Sequence, residues 1–213
     1  MLTGAFKVFC ILSVSCLVQA SDRCLETIRR ADYLLLASAS TSHHFSAVLI
    51  APDLAITTAH GLPAGNDISL WQGNYKVEAN LLALHWGMDI ALLKLSSPLY
   101  GAVTLSDKPV ALQTIIWASS FDHNANADIR RGEVMVSKRG ELITTATLEP
   151  GGSGGALLVC NQGSEQPKLI GVLRAACLSV DPRGVWLARG WYLCINSYQN
   201  ALSLYCREWS ERY

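Results

Sequence analysis

The sequence predicts an all-β fold, built either as a sandwich or as a pair of barrels. Short apolar segments follow one another from Tyr33 onward, and turn-forming residues separate them. No segment repeats at a fixed period, and no low-complexity tract interrupts the chain. The 213 residues, of which 50% are hydrophobic, are enough for one large domain or two small fused domains.

Six strands are predicted in the first half of the chain. Pro52-Asp53 and Gly73-Asn74 are turn signals between them. From Ser96 to Lys108 the apolar pattern weakens, and we interpret this segment as the connector between two halves. The predicted strands are Tyr33–Ser38, Ser46–Ile50, Leu54–Thr58, Ile68–Trp71, Lys76–Leu84 and Ile90–Leu95.

Six further strands are predicted in the second half, and a helical pattern follows them. The polar segment Asp122–Asp128 predicts an exposed loop, and Asn161–Pro167 predicts a turn. Over about residues 195–206, the apolar side chains recur on one face of a helix. The predicted strands are Thr114–Ala118, Gly132–Val136, Glu141–Thr147, Ala156–Val159, Leu169–Ala175 and Gly184–Leu187.

The charge balance and the side-chain pattern exclude several classes of partner. The chain has 17 basic and 17 acidic residues, whereas nucleic-acid binders carry a strong basic excess. The sequence has no Cys-x-x-Cys pair and no His/Cys cluster with the spacing of metal ligands. We therefore expect no nucleic acid, no metal and no cofactor.

The first twenty residues resemble a secretory signal peptide. Lys7 supplies a positive charge, Val8–Val18 is apolar, and Val18-Gln19-Ala20 offers a cleavage site before Ser21. The alternative is an uncleaved anchor, but spanning a bilayer takes ~20 apolar residues and this run is shorter. We expect a mature domain over residues 21–213, secreted or periplasmic, without a stable membrane anchor.

Export implies an oxidising compartment, in which cysteines form disulfide bonds. Removal of residues 1–20 leaves the odd number of five cysteines, so at least one is free or pairs between chains. We expect Cys24 to pair with Cys206, and a second bridge among Cys160, Cys177 and Cys194. The sequence leaves the connectivity open.

Three short segments carry side chains suited to acyl transfer. Ser153 lies between glycine pairs before an apolar strand, where backbone N–H groups can approach a substrate oxygen. His60 ends a predicted strand, and imidazole transfers protons near neutral pH. Asp89 directly precedes another strand, and a carboxylate there can orient a histidine. Each alone has a structural alternative, such as a turn serine, and only the combination indicates catalysis.

Together the three segments resemble the bacterial type of trypsin-like serine proteases, which have the chymotrypsin fold. Thr57-Thr58-Ala59-His60 is similar to the family's TAAH segment, and Asp89-Ile90-Ala91-Leu92-Leu93 to its DIALL segment. Gly151-Gly152-Ser153-Gly154-Gly155 is similar to its GDSGG segment. The order His, Asp, Ser also agrees with this family, and the resemblance spans about residues 33–195.

The resemblance implies two six-stranded antiparallel β-barrels, over about residues 33–105 and 110–192, before the C-terminal helix. His60 and Asp89 would come from the first barrel and Ser153 from the second. The N–H groups of Gly151 and Ser153 would form the oxyanion hole. Substrate would extend along the strand near Ile170–Ala176.

The sequence departs from the digestive enzymes of this family at two informative positions. Gly152 stands where they have an aspartate that pairs with a newly cleaved N-terminus, so we expect no activation of that kind. Thr147, six residues before Ser153, stands where trypsin has the aspartate that selects Arg or Lys. We expect Thr147, Arg174 and Ala175 to bind substrate. Arg174 would either attract acidic groups or point to solvent.

These features predict a serine endopeptidase acting on proteins or peptides through an acyl-enzyme intermediate. The alternative is a catalytically silent binding protein with the same fold. Retention of His60, Asp89 and Ser153 favours the enzyme. The oligomeric state is left open.

Overall fold

The computed structural model describes residues 22–40, 43–62, 68–138, 141–147, 151–161, 163–180 and 186–194. Within these residues the chain forms two β-sheets and one α-helix. The helix, α1, covers residues 22–30, and both sheets follow it in the chain. The predicted C-terminal helix over about residues 195–206 lies outside the described residues.

The first sheet is a closed antiparallel barrel of six strands with the order β1-β2-β3-β6-β5-β4. The short helix Trp86–Met88 joins its last two strands. All six predicted strands of this half are present. Their bounds are β1 Leu34–Ser40, β2 His43–Ala51, β3 Leu54–Thr57, β4 Ile68–Gln72, β5 Tyr75–His85 and β6 Ile90–Leu95.

The second sheet has seven strands in the order β11-β8-β9-β10-β13-β12-β7. Its two-residue strand β7 runs parallel to β12, and the other pairings are antiparallel. An additional pairing of β11 with β12 joins six of the strands into a barrel-like ring. The bounds are β7 Thr104–Leu105, β8 Ile115–Phe121, β9 Ala127–Lys138, β10 Glu141–Thr144, β11 Ala156–Val159, β12 Lys168–Val180 and β13 Trp186–Cys194.

The predicted all-β fold with two barrel-like sheets is confirmed; the differences are strand lengths, the additional strand β7 in the predicted connector, and the helix α1. Strand β9 starts at Ala127, inside the predicted loop Asp122–Asp128. Strand β13 runs to Cys194, well beyond the predicted Gly184–Leu187, because it pairs with β12 along nearly its whole length. Local periodicity does not record how far a strand pairs with its neighbour. Sequence patterns therefore underestimate the length of the strands in such hairpins.

Several strands are apolar on both faces because each face packs in a different core. In β6, Leu93 and Leu95 face the core of the first barrel, whereas Ile90 and Leu92 face the core between the barrels. Strand β11 divides in the same way, with Leu157 inside the second barrel. Burial on both faces explains the continuous apolar runs that follow Asp89 and Gly155.

The N-terminal helix α1 closes the core between the barrels and was not predicted from the sequence. Cys24 and Ile28, one helical turn apart, are both fully buried there. The Tyr33 hydroxyl donates to the carbonyl of Ile28 at 3.2 Å. Burial raises the pKa of Tyr33 far above its usual value, so this phenol stays neutral and serves as a structural donor.

A disulfide bond joins Cys24 in α1 to Cys160, directly after β11, with a Cα–Cα distance of 6.0 Å. The expected bridge from Cys24 to Cys206 is therefore wrong. Of the second bridge expected among Cys160, Cys177 and Cys194, the pairings that use Cys160 are excluded, and Cys177 with Cys194 stays a prediction. The physical reason is the position of α1, which lies against the second barrel at the end of β11. A neighbouring ion pair, Arg23 with Glu165, joins the same two segments.

Replacing both bridge cysteines, Cys24→Ala with Cys160→Ala, is expected to lower the unfolding free energy by ~2–5 kcal/mol. The bridge closes a long loop of 136 residues and so restricts the unfolded chain. Chemical denaturation measures the change. The control Arg23→Ala removes only an exposed ion pair and should cost ~0–1 kcal/mol. Equal stability of wild type and double variant would contradict the assigned role of the bridge.

Candidate active site

His60 and Asp89 meet because the strands next to them in the chain are neighbours in the first barrel. Strands β3 and β6 are antiparallel, and Thr57 at the end of β3 pairs with Ala91 near the start of β6. His60 follows β3 and Asp89 precedes β6. Asp89 has a left-handed backbone, with φ +56°, where it ends the short helix Trp86–Met88. The Ala59 N–H donates to the Asp89 carbonyl at 3.2 Å and closes the junction.

The carboxylate of Asp89 holds the histidine through both of its oxygens. Oδ1 accepts from the His60 backbone N–H at 2.9 Å, and Oδ2 lies 2.7 Å from His60 Nδ1. A proton on Nδ1 satisfies this contact and leaves Nε2 as an acceptor. The Asp89 side chain is 12% exposed, whereas that of His60 is 48% exposed. The carboxylate is thus largely buried behind an imidazole that faces solvent.

Ser153 comes from the second sheet and completes a continuous chain of side-chain contacts. Its Oγ lies 3.1 Å from His60 Nε2, so the hydroxyl donates to the histidine. The three residues predicted to act together are therefore in contact, although they come from two sheets. The Ser153 Oγ also lies 3.4 Å from the carbonyl oxygen of Arg174, a second and longer acceptor.

The turn that carries Ser153 lies directly against strand β2. Gly154 has φ +87°, and a Cβ there would lie 1.9 Å from the Ser46 carbonyl oxygen. Only glycine permits both this backbone conformation and this contact. The Ser46 N–H donates to the Ser153 carbonyl at 2.8 Å, and the Gly154 N–H donates to the Leu173 carbonyl at 2.7 Å. The turn is thus fixed to both sheets.

Gly151, the first residue of this turn in the described part of the chain, has φ +96°. A Cβ at this position would lie 2.9 Å from the carbonyl of Asp122, in the loop between β8 and β9. That loop is held by the Asp122 carboxylate, which accepts from the Asn126 and Asn124 backbone N–H groups. Led by the Asn126 N–H, these bonds lower the pKa of Asp122, because they stabilise its ionised form.

Two backbone donors of the Ser153 turn are left without a backbone acceptor in the described part of the chain. Among the described residues, neither the Gly151 N–H nor the Ser153 N–H donates to a backbone carbonyl. Both N–H groups belong to the three consecutive residues that end with Ser153, whose side chain carries the hydroxyl. Two N–H groups next to a nucleophile can receive an oxygen that gains negative charge.

Ser46 belongs to the site and was missed by the sequence analysis. It is fully buried on β2. Its Oγ accepts from the Phe121 N–H at 2.9 Å and donates to the Gly151 carbonyl at 3.3 Å. Its own carbonyl accepts from the Thr57 hydroxyl at 2.7 Å. The one available signal was a hydroxyl residue inside the apolar run from Phe45 to Ile50.

The predicted substrate-binding residues take different positions. Arg174, on β12, directs its Nε to within 3.4 Å of Asp89 Oδ2, and its side chain is 36% exposed. Ala175 is the next residue of β12 and pairs with Trp191 of β13. Thr147 is exposed beyond the end of β10. The substrate contacts of these three residues stay predictions.

Within the described ranges, no three His, Cys, Asp or Glu side chains are grouped closely enough to hold a metal ion. Nor is any helix in that part of the chain long and apolar enough to cross a bilayer.

Comparison with solved structures gives several matches of the same fold. The protease Rv3671c from M. tuberculosis, in its active form, has a TM-score of 0.69 at 17% identity, covering 83% of this chain and 82% of that one. The serine endoprotease from Yersinia pestis has a TM-score of 0.71 at 18% identity, with coverages of 85% and 65%. The MamO protease domain from Magnetospirillum magneticum has a TM-score of 0.63 at 16% identity, with coverages of 80% and 95%.

At these identities the structural likeness shows the fold alone. Comparison with curated protein sequences gives no match. A family model, described as a trypsin-like peptidase domain, matches residues 45–172 and so includes His60, Asp89 and Ser153. Because this match covers more than half of the chain, the protein belongs to the trypsin-like peptidase family.

Proposed function

We propose that the protein is a serine endopeptidase in which Ser153 is the nucleophile, His60 the general base and Asp89 the residue that orients the histidine. One observation carries the proposal: the continuous contact from Asp89 Oδ2 through the His60 ring to Ser153 Oγ, with steps of 2.7 and 3.1 Å. Both distances are short enough for hydrogen bonds, and the order of groups is that of an activated serine.

The reaction starts when Ser153 Oγ attacks the carbonyl carbon of a peptide bond. His60 Nε2 takes the hydroxyl proton as the new C–O bond forms, and the imidazole becomes an imidazolium. The Asp89 carboxylate stabilises that cation through Nδ1–H and keeps the ring in its orientation. This proton transfer makes a weakly nucleophilic hydroxyl reactive at neutral pH.

The N–H groups of Gly151 and Ser153 are the proposed oxyanion hole. The carbonyl oxygen of the substrate becomes negatively charged in the tetrahedral intermediate, and two fixed donors stabilise it without reorganising. The imidazolium then gives its proton to the leaving amine, which departs and leaves an acyl-enzyme. His60 then takes a proton from water as the water attacks the ester; the imidazolium returns a proton to Ser153 Oγ as the C–O bond breaks and the acid product leaves.

Proteins or peptides are the proposed substrates, as the family implies. Binding of the substrate chain by Thr147, Arg174 and Ala175 rests on the resemblance alone. We propose further that residues 1–20 are a signal peptide and that the mature chain starts at Ser21. A secreted or periplasmic location agrees with the Cys24–Cys160 bridge, since disulfide bonds persist mainly in oxidising compartments.

Ser46 provides a reason why this chain needs no aspartate at the position of Gly152. In the digestive enzymes that carboxylate holds the oxyanion loop after cleavage of the zymogen. Here the Ser46 side chain and N–H group bind the carbonyls of Gly151 and Ser153, at 3.3 and 2.8 Å. We propose that these contacts hold the loop in its working conformation without a cleavage step.

The variants Ser153→Ala and His60→Ala are expected to lower peptide hydrolysis by ~10⁴-fold or more, because the triad members act as a unit. Hydrolysis of a denatured protein mixture by the mature chain, followed by mass spectrometry, measures the loss. A fluorophosphonate probe should label wild type and not Ser153→Ala. Folded wild type that neither cleaves nor reacts would refute the enzyme and support the silent binding protein.

Asp89→Asn should leave the fold intact and lower turnover by ~10⁴-fold, because an amide in this place favours the wrong imidazole tautomer. The ratio of kcat values for variant and wild type measures the effect, and circular dichroism checks the fold. The control Asp53→Asn changes an exposed carboxylate in the turn before β3 and should keep wild-type turnover. Near-normal turnover in Asp89→Asn would contradict the role assigned to Asp89.

Ser46→Ala should lower kcat by about tenfold with little change in KM, since oxyanion stabilisation acts in the transition state. The variant keeps the Ser46 N–H bond and loses both side-chain bonds. Steady-state kinetics on one peptide substrate separates the two constants. Ser69→Ala removes an exposed hydroxyl from the same barrel and serves as the control. An unchanged kcat in folded Ser46→Ala would show that the side chain does not hold the loop.

A further inference from the structure

Arg174 is a cation in direct contact with the carboxylate that the proposed triad uses. Its Nε lies 3.4 Å from Asp89 Oδ2, the same oxygen that contacts His60 Nδ1 at 2.7 Å. One carboxylate oxygen is thus shared between the histidine and a permanently charged guanidinium. The Asp89 side chain is only 12% exposed, so solvent screens this pair less than a surface ion pair.

Asp89 does not depend on Arg174 for its position. Its Oδ1 accepts from the His60 backbone N–H at 2.9 Å. Its backbone is fixed at both sides: the N–H donates to the Trp86 carbonyl, and the carbonyl accepts from the Ala59 N–H. These contacts hold the carboxylate against the histidine whether or not a guanidinium is present. The main consequence of Arg174 is therefore electrostatic.

The electrostatic effect opposes the chemistry of the triad. When His60 takes the Ser153 proton, the imidazolium is stabilised by the negative charge of Asp89. A guanidinium on the same oxygen neutralises part of that charge and also repels the new cation. The base form of His60, which takes the proton, carries no charge and is affected much less. The free energy of the charged transition state therefore rises relative to that of the resting enzyme.

On the basis of the proposed function, we propose that Arg174 acts electrostatically, through Asp89, to attenuate the reactivity of Ser153. It acts as a built-in restraint on the nucleophile, because its charge weakens the carboxylate on which His60 depends. Its backbone adds to the same effect, since the Arg174 carbonyl offers the Ser153 hydroxyl a second acceptor at 3.4 Å. Replacing the charge should consequently make Ser153 more reactive.

The test is the second-order rate constant for labelling of Ser153 by an uncharged fluorophosphonate near neutral pH. Arg174→Gln removes the charge and should raise this constant by about tenfold, which corresponds to ~1.4 kcal/mol of activation free energy. Arg174→Lys keeps the charge and should raise this constant less than Arg174→Gln does. Arg131→Gln, an exposed residue on β9, controls for the loss of one positive charge elsewhere. Loss of structural support alone would lower the constant and could not produce an increase.

The outcomes separate this proposal from the proposed function. If wild type is labelled and folded Arg174→Gln is labelled at the same rate or more slowly, the attenuating role is wrong and the peptidase proposal stands. If Arg174→Gln alone is labelled, the restraint is stronger than expected. If neither protein reacts although thermal unfolding shows that both are folded, both proposals fail.

Discussion

Strand β2 of the first barrel touches the turn that carries Ser153, and the geometry of the site depends on this contact. The Ser46 carbonyl occupies the space that a Cβ of Gly154 would need, at 1.9 Å, so the two backbones meet without a side chain between them. Hydrogen bonds of Ser46 to Ser153 and Gly151 fix the turn at this place. The 3.1 Å distance from Ser153 Oγ to His60 Nε2 therefore depends on how the two sheets are docked.

The docking itself is stabilised by strands that are buried on both faces. Strands β6 and β11 each fill one barrel with alternate side chains and pack against the other sheet with the remainder. These two strands also follow Asp89 and Ser153 in the chain. The apolar core between the sheets consequently lies directly next to the polar site. A small shift of one sheet against the other would therefore change the distances between the site residues.

Charge within the site is concentrated on one largely buried carboxylate. Asp89 contacts the His60 backbone, the His60 ring and the Arg174 guanidinium. Helix α1 and its Cys24–Cys160 bridge stabilise the opposite end of β11. One end of this strand thus leads to the nucleophile, and the other is covalently attached to the N-terminal helix. These two attachments restrict the movement of β11. Restricted movement suits a site whose hydrogen-bond donors and acceptors must keep fixed positions.

The sequence by itself determined the all-β class, the six strands of the first half and the segments that carry His60, Asp89 and Ser153. These features depend on local pattern: alternating apolar runs, turn residues and short motifs in a fixed order. Only the tertiary structure decided the Cys24–Cys160 pairing, the helix over residues 22–30, the contacts of Ser46 with the Ser153 turn and the approach of Arg174 to Asp89. The bridge joins positions 136 residues apart, and Ser46 lies 105 residues from Gly151. Contacts over such separations depend on how the sheets and the helix pack together, which no local pattern records.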